Sequence, residues 1–315
     1  MVQDHISPSR RNSRLGLRVL AGFILLYAAI FFINVVMGVG PNLLMKWLEV
    51  SSNFRAFAGS TFSYGIRIAA LLLLPPLALK KVLGIDPWPL FFPFHKGWWK
   101  GPLFGLFLVG AILSVTFLIE TRAGWLVVDS WAWQNVQLDA WLRLFWVGLL
   151  VNASVAIGEE TIFRGYLLTG LKAAWGKWMG IVLMMVIFGV FHLPAYVEAG
   201  LQSGTLALAL ILASLFGALF GVIYLKTGTL WLPVSLHFAW NFFETDVLNL
   251  TADSNNVNLI GAVTHLQTPL SMTEIGLGNV VVIEILLFAL ITLGIWFWLK
   301  YQRKDVKNET RIANV

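Results

Sequence analysis

The sequence predicts an all-α protein that crosses a membrane about eight times, with an amphipathic helix lying at one interface. Three observations carry this. Of 315 residues, 58% are hydrophobic and 12% are charged, whereas soluble domains run at roughly 25% charged. Mean hydropathy is +0.78, so too few charges exist to cover a surface facing water. Apolar runs of about 20 residues, enough to cross roughly 30 Å of hydrocarbon, recur along the chain, and Lys and Arg gather in alternate connections between them. The composition also excludes function classes. A net charge of +6 is spread along the sequence, without the clustered basic patch that nucleic acid requires. The chain has no Cys, which excludes disulfides, thiolate metal sites and cysteine nucleophiles. Fifteen Trp and 23 Phe suit a bilayer protein with aromatic belts.

The spans are expected near 17–39, 56–79, 98–120, 141–170, 178–194, 205–225, 229–248 and 278–299. The first run is longer than the 7–15-residue core of a signal peptide, so it is read as a retained span. Residues 124–139 mix Trp125, Leu126, Val128, Trp131 and Trp133 with Asp129, Gln134 and Asp139, which reads as the interfacial helix on the outer face. The fifth span is ended by Pro194, and the seventh is opened by Gly228-Thr229 and bent at Pro233. Gly217 and Gly221 form a G-x-x-x-G in the sixth, the spacing of close helix packing. Sixteen Lys and Arg fall in one set of connections and three, Lys46, Arg55 and Arg122, in the other. The positive-inside rule then puts both termini in the cytoplasm. Short loops favour a bacterial plasma membrane. Three parts follow: 1–140, N-terminal spans and the interfacial segment; 141–248, a core holding the polar motifs; and 249–315, an outer loop, the last span and a basic tail.

A carboxylate or basic group at the centre of a membrane helix costs roughly 2.5–3.5 kcal/mol, so such residues line a cavity, find a partner or do chemistry. They concentrate in three places. In the fourth span, Glu160 and Arg164 are four residues apart and share a helix face. Glu159 points about 100° away, without a local basic partner. In the fifth, His192 follows Phe188 by four residues; alone, a histidine in an apolar helix is more often a hydrogen-bonded packing residue than a catalyst. In the seventh, His237 and Asn241 project from one face, either as an interhelical hydrogen-bond pair or as part of a polar site. At about 1.5 Å per residue, Glu159, His192, His237 and Asn241 all lie about 12–21 Å from the cytoplasmic helix ends. Arg67 and Glu284 are isolated in their spans and belong to no motif, and Glu244 and Asp246 read as an outer-end cap.

Glu-Glu-x-x-x-Arg at Glu159, Glu160 and Arg164, Phe-x-x-x-His at Phe188 and His192, and His-x-x-x-Asn at His237 and Asn241 together resemble the CPBP family. These are the CAAX-protease and bacteriocin-processing (Abi) intramembrane proteases, which include type II CAAX prenyl endopeptidases. The similarity covers roughly residues 141–245. It implies an endopeptidase acting on a peptide or protein near the lipid bilayer, with no nucleic-acid partner. Glu159 and His192 would activate a water, His237 and Asn241 would donate to the oxyanion, and Glu160 with Arg164 would fix the helix presenting Glu159. A second version adds one divalent metal such as zinc on Glu159, His192 and His237, a His₂Glu set with an open position. The first version uses every residue of the motifs. No histidine is followed by Glu, so an H-E-x-x-H zinc motif is missing, as are G-x-G-D and G-x-S-x-G motifs. Two other functions use the same buried groups: a non-catalytic immunity or scaffold protein, and a proton-coupled transporter with Glu and His as relays.

Overall fold

The computed structural model describes residues 12–49, 51–201, 203–250 and 260–266, together with 289, 290, 292–295, 297 and 300. Helix α1 (Ser13–Trp47) is opened by Asn12, whose Oδ1 accepts the Leu15 N–H at 3.0 Å, an N-cap that satisfies one of the orphan donors of the first turn. Helix α2 (Ser52–Leu83) runs back along it and ends at Gly84 with φ 70°, whose N–H bonds to the Lys80 carbonyl. Only a residue without a Cβ takes that left-handed cap at no cost. The short α3 (Trp88–Phe91) leads to α4 (Lys100–Arg122), strand β1 (Leu126–Trp131) and α5 (Ala132–Asn135). One continuous helix, Leu138–Trp175, follows. It consists of α6 (Leu138–Glu159), a π-helical stretch (Glu160–Leu168) and α7 (Thr169–Trp175). Then come α8 (Lys177–Phe191), α9 (Leu193–Glu198), α10 (Ser203–Thr227), α11 (Trp231–Asn241), a second π-helical stretch (Phe242–Val247) and β2 (Ala262–Leu266).

Among the described residues, six helices are long and apolar enough to cross a membrane: Ser13–Trp47, Phe54–Leu83, Lys100–Arg122, Leu138–Trp175, Lys177–Glu198 and Gly204–Thr227. Each leaves most of its apolar surface uncovered by protein. Ile24, Phe32, Leu43 and Phe107 are examples at 60–78% exposure, a pattern that suits lipid and would be costly in water. This is an all-α polytopic membrane protein. The expected seventh span has eleven α-helical and six π-helical residues. Most of the expected eighth, with Glu284, lies outside the described residues, as do Arg10, Arg11 and the basic tail; Ile295 from that run is buried against α4, α10 and α11.

The core sits around the first π-helical stretch, all nine residues of which are buried. Ile162, Phe163, Tyr166, Leu167 and Leu168 pack against Val19, Phe23, Leu26 and Ile30 of α1, Leu71 and Leu79 of α2, and Ile181, Met184 and Phe188 of α8. The Tyr166 hydroxyl, buried in that cluster, donates to the Val19 carbonyl at 3.1 Å. Gly217 and Gly221 of α10 face α8 as their spacing predicts. A Cβ at Gly221 would stand 2.7 Å from Met184 Cε, and one at Gly217 would stand 3.0 Å from the Phe188 ring.

Two sequence expectations are corrected. Residues 124–139 are not an interfacial amphipathic helix. Gly124 at φ 71° breaks the chain away from α4, and 126–131 form β1, antiparallel to β2. Leu126 pairs with Leu266, Val128 with Thr264 and Trp131 with Ala262, with a bulge between Val128 and Ser130. Val127, Val128 and Trp131 are good strand residues, and the distant partner supplies the ladder; between the strand and the start of α6, only Ala132–Asn135 make a helical turn. Nor does Pro233 interrupt the seventh span. It occupies the first turn of α11, where an N–H would lack an intrahelical acceptor anyway. The irregularity comes later, in the π-helical stretch from Phe242.

Candidate active site

The register of α6 separates two adjacent carboxylates. Glu160, first residue of the π-helical stretch, points into the core and is fully buried, as is Arg164. Arg164 Nη1 donates to Glu160 Oε1 at 2.9 Å, and Nη2 donates to the Gly217 carbonyl at 3.3 Å. The Phe188 ring lies 4.3 Å from the guanidinium carbon, within cation–π range. The ion pair expected from the i, i+4 spacing is therefore present. The same Glu160 Oε1 also lies 2.9 Å from His237 Nδ1. Spacing within one helix gave no sign of this bond, because it joins residues 77 apart in sequence.

Glu159, last residue of α6, turns instead toward His192 at the end of α8 and His237 of α11. Its Oε2 lies 4.0 Å from His192 Nε2 and 3.8 Å from His237 Nε2. The side chains of Glu159 and His192 are 29% and 27% exposed, that of His237 11%. His192 is the hinge residue between α8 and α9. Pro194 sits in the first turn of α9 rather than ending α8, since a proline fits a first helical turn.

Hydrogen bonding assigns both imidazole tautomers. His192 Nδ1 sits 2.9 Å from the Phe188 carbonyl, which can only accept, so Nδ1 carries the proton. His237 Nδ1 faces the Glu160 carboxylate, so it too is the N–H. Both Nε2 atoms therefore turn toward Glu159 Oε2. That oxygen is buried and has no hydrogen-bond partner among the described residues. Separations of 3.8–4.0 Å exceed a direct hydrogen bond, and are the spans a single water about 2.8 Å from each partner would bridge.

The same three atoms do not fit a catalytic zinc. With metal–ligand bonds of roughly 2.0–2.2 Å, tetrahedral ligands stand about 3.4 Å apart. Gaps of 3.8 and 4.0 Å would open the angles at the metal to roughly 135–155°. Among the described residues, no group of three or more His, Cys, Asp or Glu side chains is placed to hold a metal ion.

Asn241 lies one α-helical turn beyond His237, at the last residue of α11 before the helix widens. Its side chain makes no hydrogen bond among the described residues, while its carbonyl accepts from Thr245 Oγ1. Glu159, His192 and His237 are thus brought together, Glu160 and Arg164 stand directly behind them, and Asn241 flanks them through its helix alone.

Two further polar groups were underrated in the sequence. Asp246 is 4% exposed. Its Oδ2 accepts from Asn152 Nδ2 at 2.8 Å, and its carbonyl accepts from the Ile260 and Gly261 N–H groups. It ties the end of the second π-helical stretch to α6 and to the segment entering β2, away from the site. Arg67 of α2 stands beside the site. Leu71, one turn along the same face, packs on Gly158 next to Glu159, and Arg67 is close enough to Glu159 to interact with its charge. The available signal was the cost of an arginine in an apolar run; no motif accompanied it.

Comparison with curated proteins and comparison with solved structures each found no match. Comparison with family models found one. Residues 141–243, about a third of the chain and the segment holding Glu159, Glu160, Arg164, His192, His237 and Asn241, match the family described as type II CAAX prenyl endopeptidase Rce1-like.

Proposed function

We propose that the chain is an intramembrane endopeptidase in which Glu159 and His192 activate a water. The observation carrying this is the approach of one unpartnered carboxylate oxygen to two imidazole Nε2 atoms, at 3.8 and 4.0 Å. The family match favours a peptidase of the CAAX-protease type.

The step follows from the proton positions. Water held between Glu159 Oε2 and His192 Nε2 gives up a proton to this pair as its oxygen attacks a peptide carbonyl. The C–O bond forms, and the carbonyl electrons move onto oxygen. His237 and Asn241 donate to that oxyanion; a donor of this kind contributes roughly 2.7–4 kcal/mol in acyl-transfer sites. To donate, His237 needs a second proton on Nε2, and Glu160 on one side with Glu159 on the other supply the countercharge. The abstracted proton then passes to the leaving nitrogen as the C–N bond breaks. Glu160 orients His237 through its Nδ1–H, and Arg164 holds Glu160 in place.

In this reading the substrate is a peptide or protein that reaches Glu159 from within or beside the bilayer. The host membrane is a bacterial plasma membrane, with both termini cytoplasmic. Because the chain has no native Cys, a thiol reagent applied from outside should label Arg122→Cys and spare Lys226→Cys; the reverse pattern would invert the orientation.

The test of the chemistry is Glu159→Gln in purified, membrane-inserted protein, assayed against a peptide library. General-base catalysis contributes about 10²–10⁴ in rate, so turnover should fall by at least about 100-fold. Unchanged turnover would remove Glu159 as the base.

A further inference from the structure

Arg67 lies in the middle of α2, in a segment otherwise built of apolar and small residues. It makes no hydrogen bond and no ion pair with any described residue, and its Nε is buried without a partner. Placement in the fold makes this more than a stray charge. Residues 67 and 71 share one face of α2. Leu71 is 1% exposed and seals against Gly158, so that a Cβ there would stand 3.1 Å from it. That face therefore looks at the stretch of α6 ending in Glu159. The groups whose electrostatics reach Arg67 are Glu159, Tyr64 on its own helix and Tyr27 on α1. Tyr27 packs edge-on against Phe191, ring centroids 4.6 Å apart, and Phe191 immediately precedes His192. Arg67 thus stands on the α1–α2 side of Glu159, whose carboxylate faces His192 and His237 on the other.

Glu159 does not account for this guanidinium. The two groups form no ion pair within 4 Å, and both keep a buried atom without a hydrogen bond. Glu160, the carboxylate that does take an arginine, is already engaged by Arg164. A guanidinium offers a planar fork of donors matched to a carboxylate, and leaving it unanswered within a bilayer is costly. The missing acceptor is an anion that arrives with the ligand. Resting on the peptidase reading above, we propose that Arg67 is a substrate-binding residue that receives a carboxylate of the peptide close to the scissile bond, either the chain's terminal carboxylate or an acidic side chain. It would select among peptides by charge, whereas Glu159, His192 and His237 act on the bond itself.

The experiment compares kcat/KM for three peptides of one sequence in the full chain reconstituted in lipid. One has a free C-terminal carboxylate, one a C-terminal amide, and one an amide terminus with a single aspartate side chain near the cleaved bond. The unsubstituted protein should prefer at least one carboxylate peptide over the plain amide by tenfold or more, chiefly through KM. Which peptide is preferred distinguishes a terminal from a side-chain carboxylate. In Arg67→Gln that ratio should fall toward one, whatever the absolute rate, and Arg67→Lys, which keeps a cation, should retain part of it. A preference that survives Arg67→Gln would overturn the assignment, as would equal turnover of all three peptides by the unsubstituted protein. Equal slowing of all three peptides with the ratio intact would make Arg67 a countercharge for Glu159 and overturn it too. No cleavage of any peptide by the unsubstituted protein would overturn the peptidase reading, and this inference with it.

Discussion

Glu159 and Glu160 are neighbours in sequence and opposites in environment. Glu160 is fully buried, with an arginine at 2.9 Å and an imidazole N–H at 2.9 Å on the same oxygen. Glu159 is part-exposed, with two imidazoles just beyond hydrogen-bond reach and an arginine farther off. The contrast shows how one helix leaves one carboxylate partly open and anchors its neighbour at once. Turning by a single residue points one side chain into packed protein and the other into a space a ligand could share. A buried ion pair contributes little net stability compared with an apolar substitute, yet it is expensive to break on one side. On the proposed function, the Glu160–Arg164–His237 cluster serves as a support that holds His237 and the end of α6 in register.

The largest effect expected from this contrast is on stability. Glu160→Ala would strand the Arg164 guanidinium in the core and should cost roughly 3–5 kcal/mol, the range for removing one partner of a buried pair. Glu159→Ala removes a side chain with no ion pair shorter than 3.8 Å and should leave unfolding within about 0.5 kcal/mol. Chemical denaturation of both variants in the same detergent measures the gap. Equal losses would break the distinction between supporting and reactive carboxylate.

How much of this was visible beforehand depends on the range over which each feature is encoded. The apolar runs and the three polar motifs are local, and the helices that carry Glu159, His192 and His237 follow from them. The Glu160–Arg164 pair was legible because both ends lie on one helix at i, i+4. The His237–Glu160 bond was not, since nothing in either motif specifies how α11 docks on α6. The π-helical stretches at Glu160–Leu168 and Phe242–Val247 were hidden as well, because an i→i+5 bond pattern leaves no residue signature comparable to apolar periodicity. Strand β1 failed for a related reason. Leu126–Trp131 has a mixture of aromatic and polar residues that fits an interfacial helix until its partner, Ala262–Leu266, is known.

Asp246 sharpens the comparison as a second buried carboxylate, satisfied but remote from the site. Asn152 Nδ2 donates to it at 2.8 Å, and Thr245 Oγ1 donates at 3.1 Å. Asn152→Ala should cost about 1.5–3 kcal/mol, the range for a buried hydrogen bond to a charged group, with peptide cleavage by the folded fraction unchanged. A loss of turnover in folded protein would mean that the end of α11 is coupled to the segment entering β2, and that the division between support and site is drawn too narrowly.

The smallest effect belongs to a carboxylate pair that lies in the open. His265 Nδ1 stands 2.8 Å from both oxygens of Asp129 across the β1–β2 ribbon. Their side chains are 53% and 46% exposed. Water screens such a pair, and holding two mobile side chains together offsets much of the attraction, so exposed pairs contribute about 0–1 kcal/mol. Asp129 also falls in the bulge between Val128 and Ser130, so replacing it leaves the flanking pairings in place. Asp129→Asn should therefore lower stability by less than about 1 kcal/mol, and by less still at high salt, where exposed charges are screened. Amide exchange of the ribbon at low and high ionic strength reads this directly. A loss comparable to that of Glu160→Ala, or one indifferent to salt, would show that burial is not what separates strong from weak carboxylates in this protein.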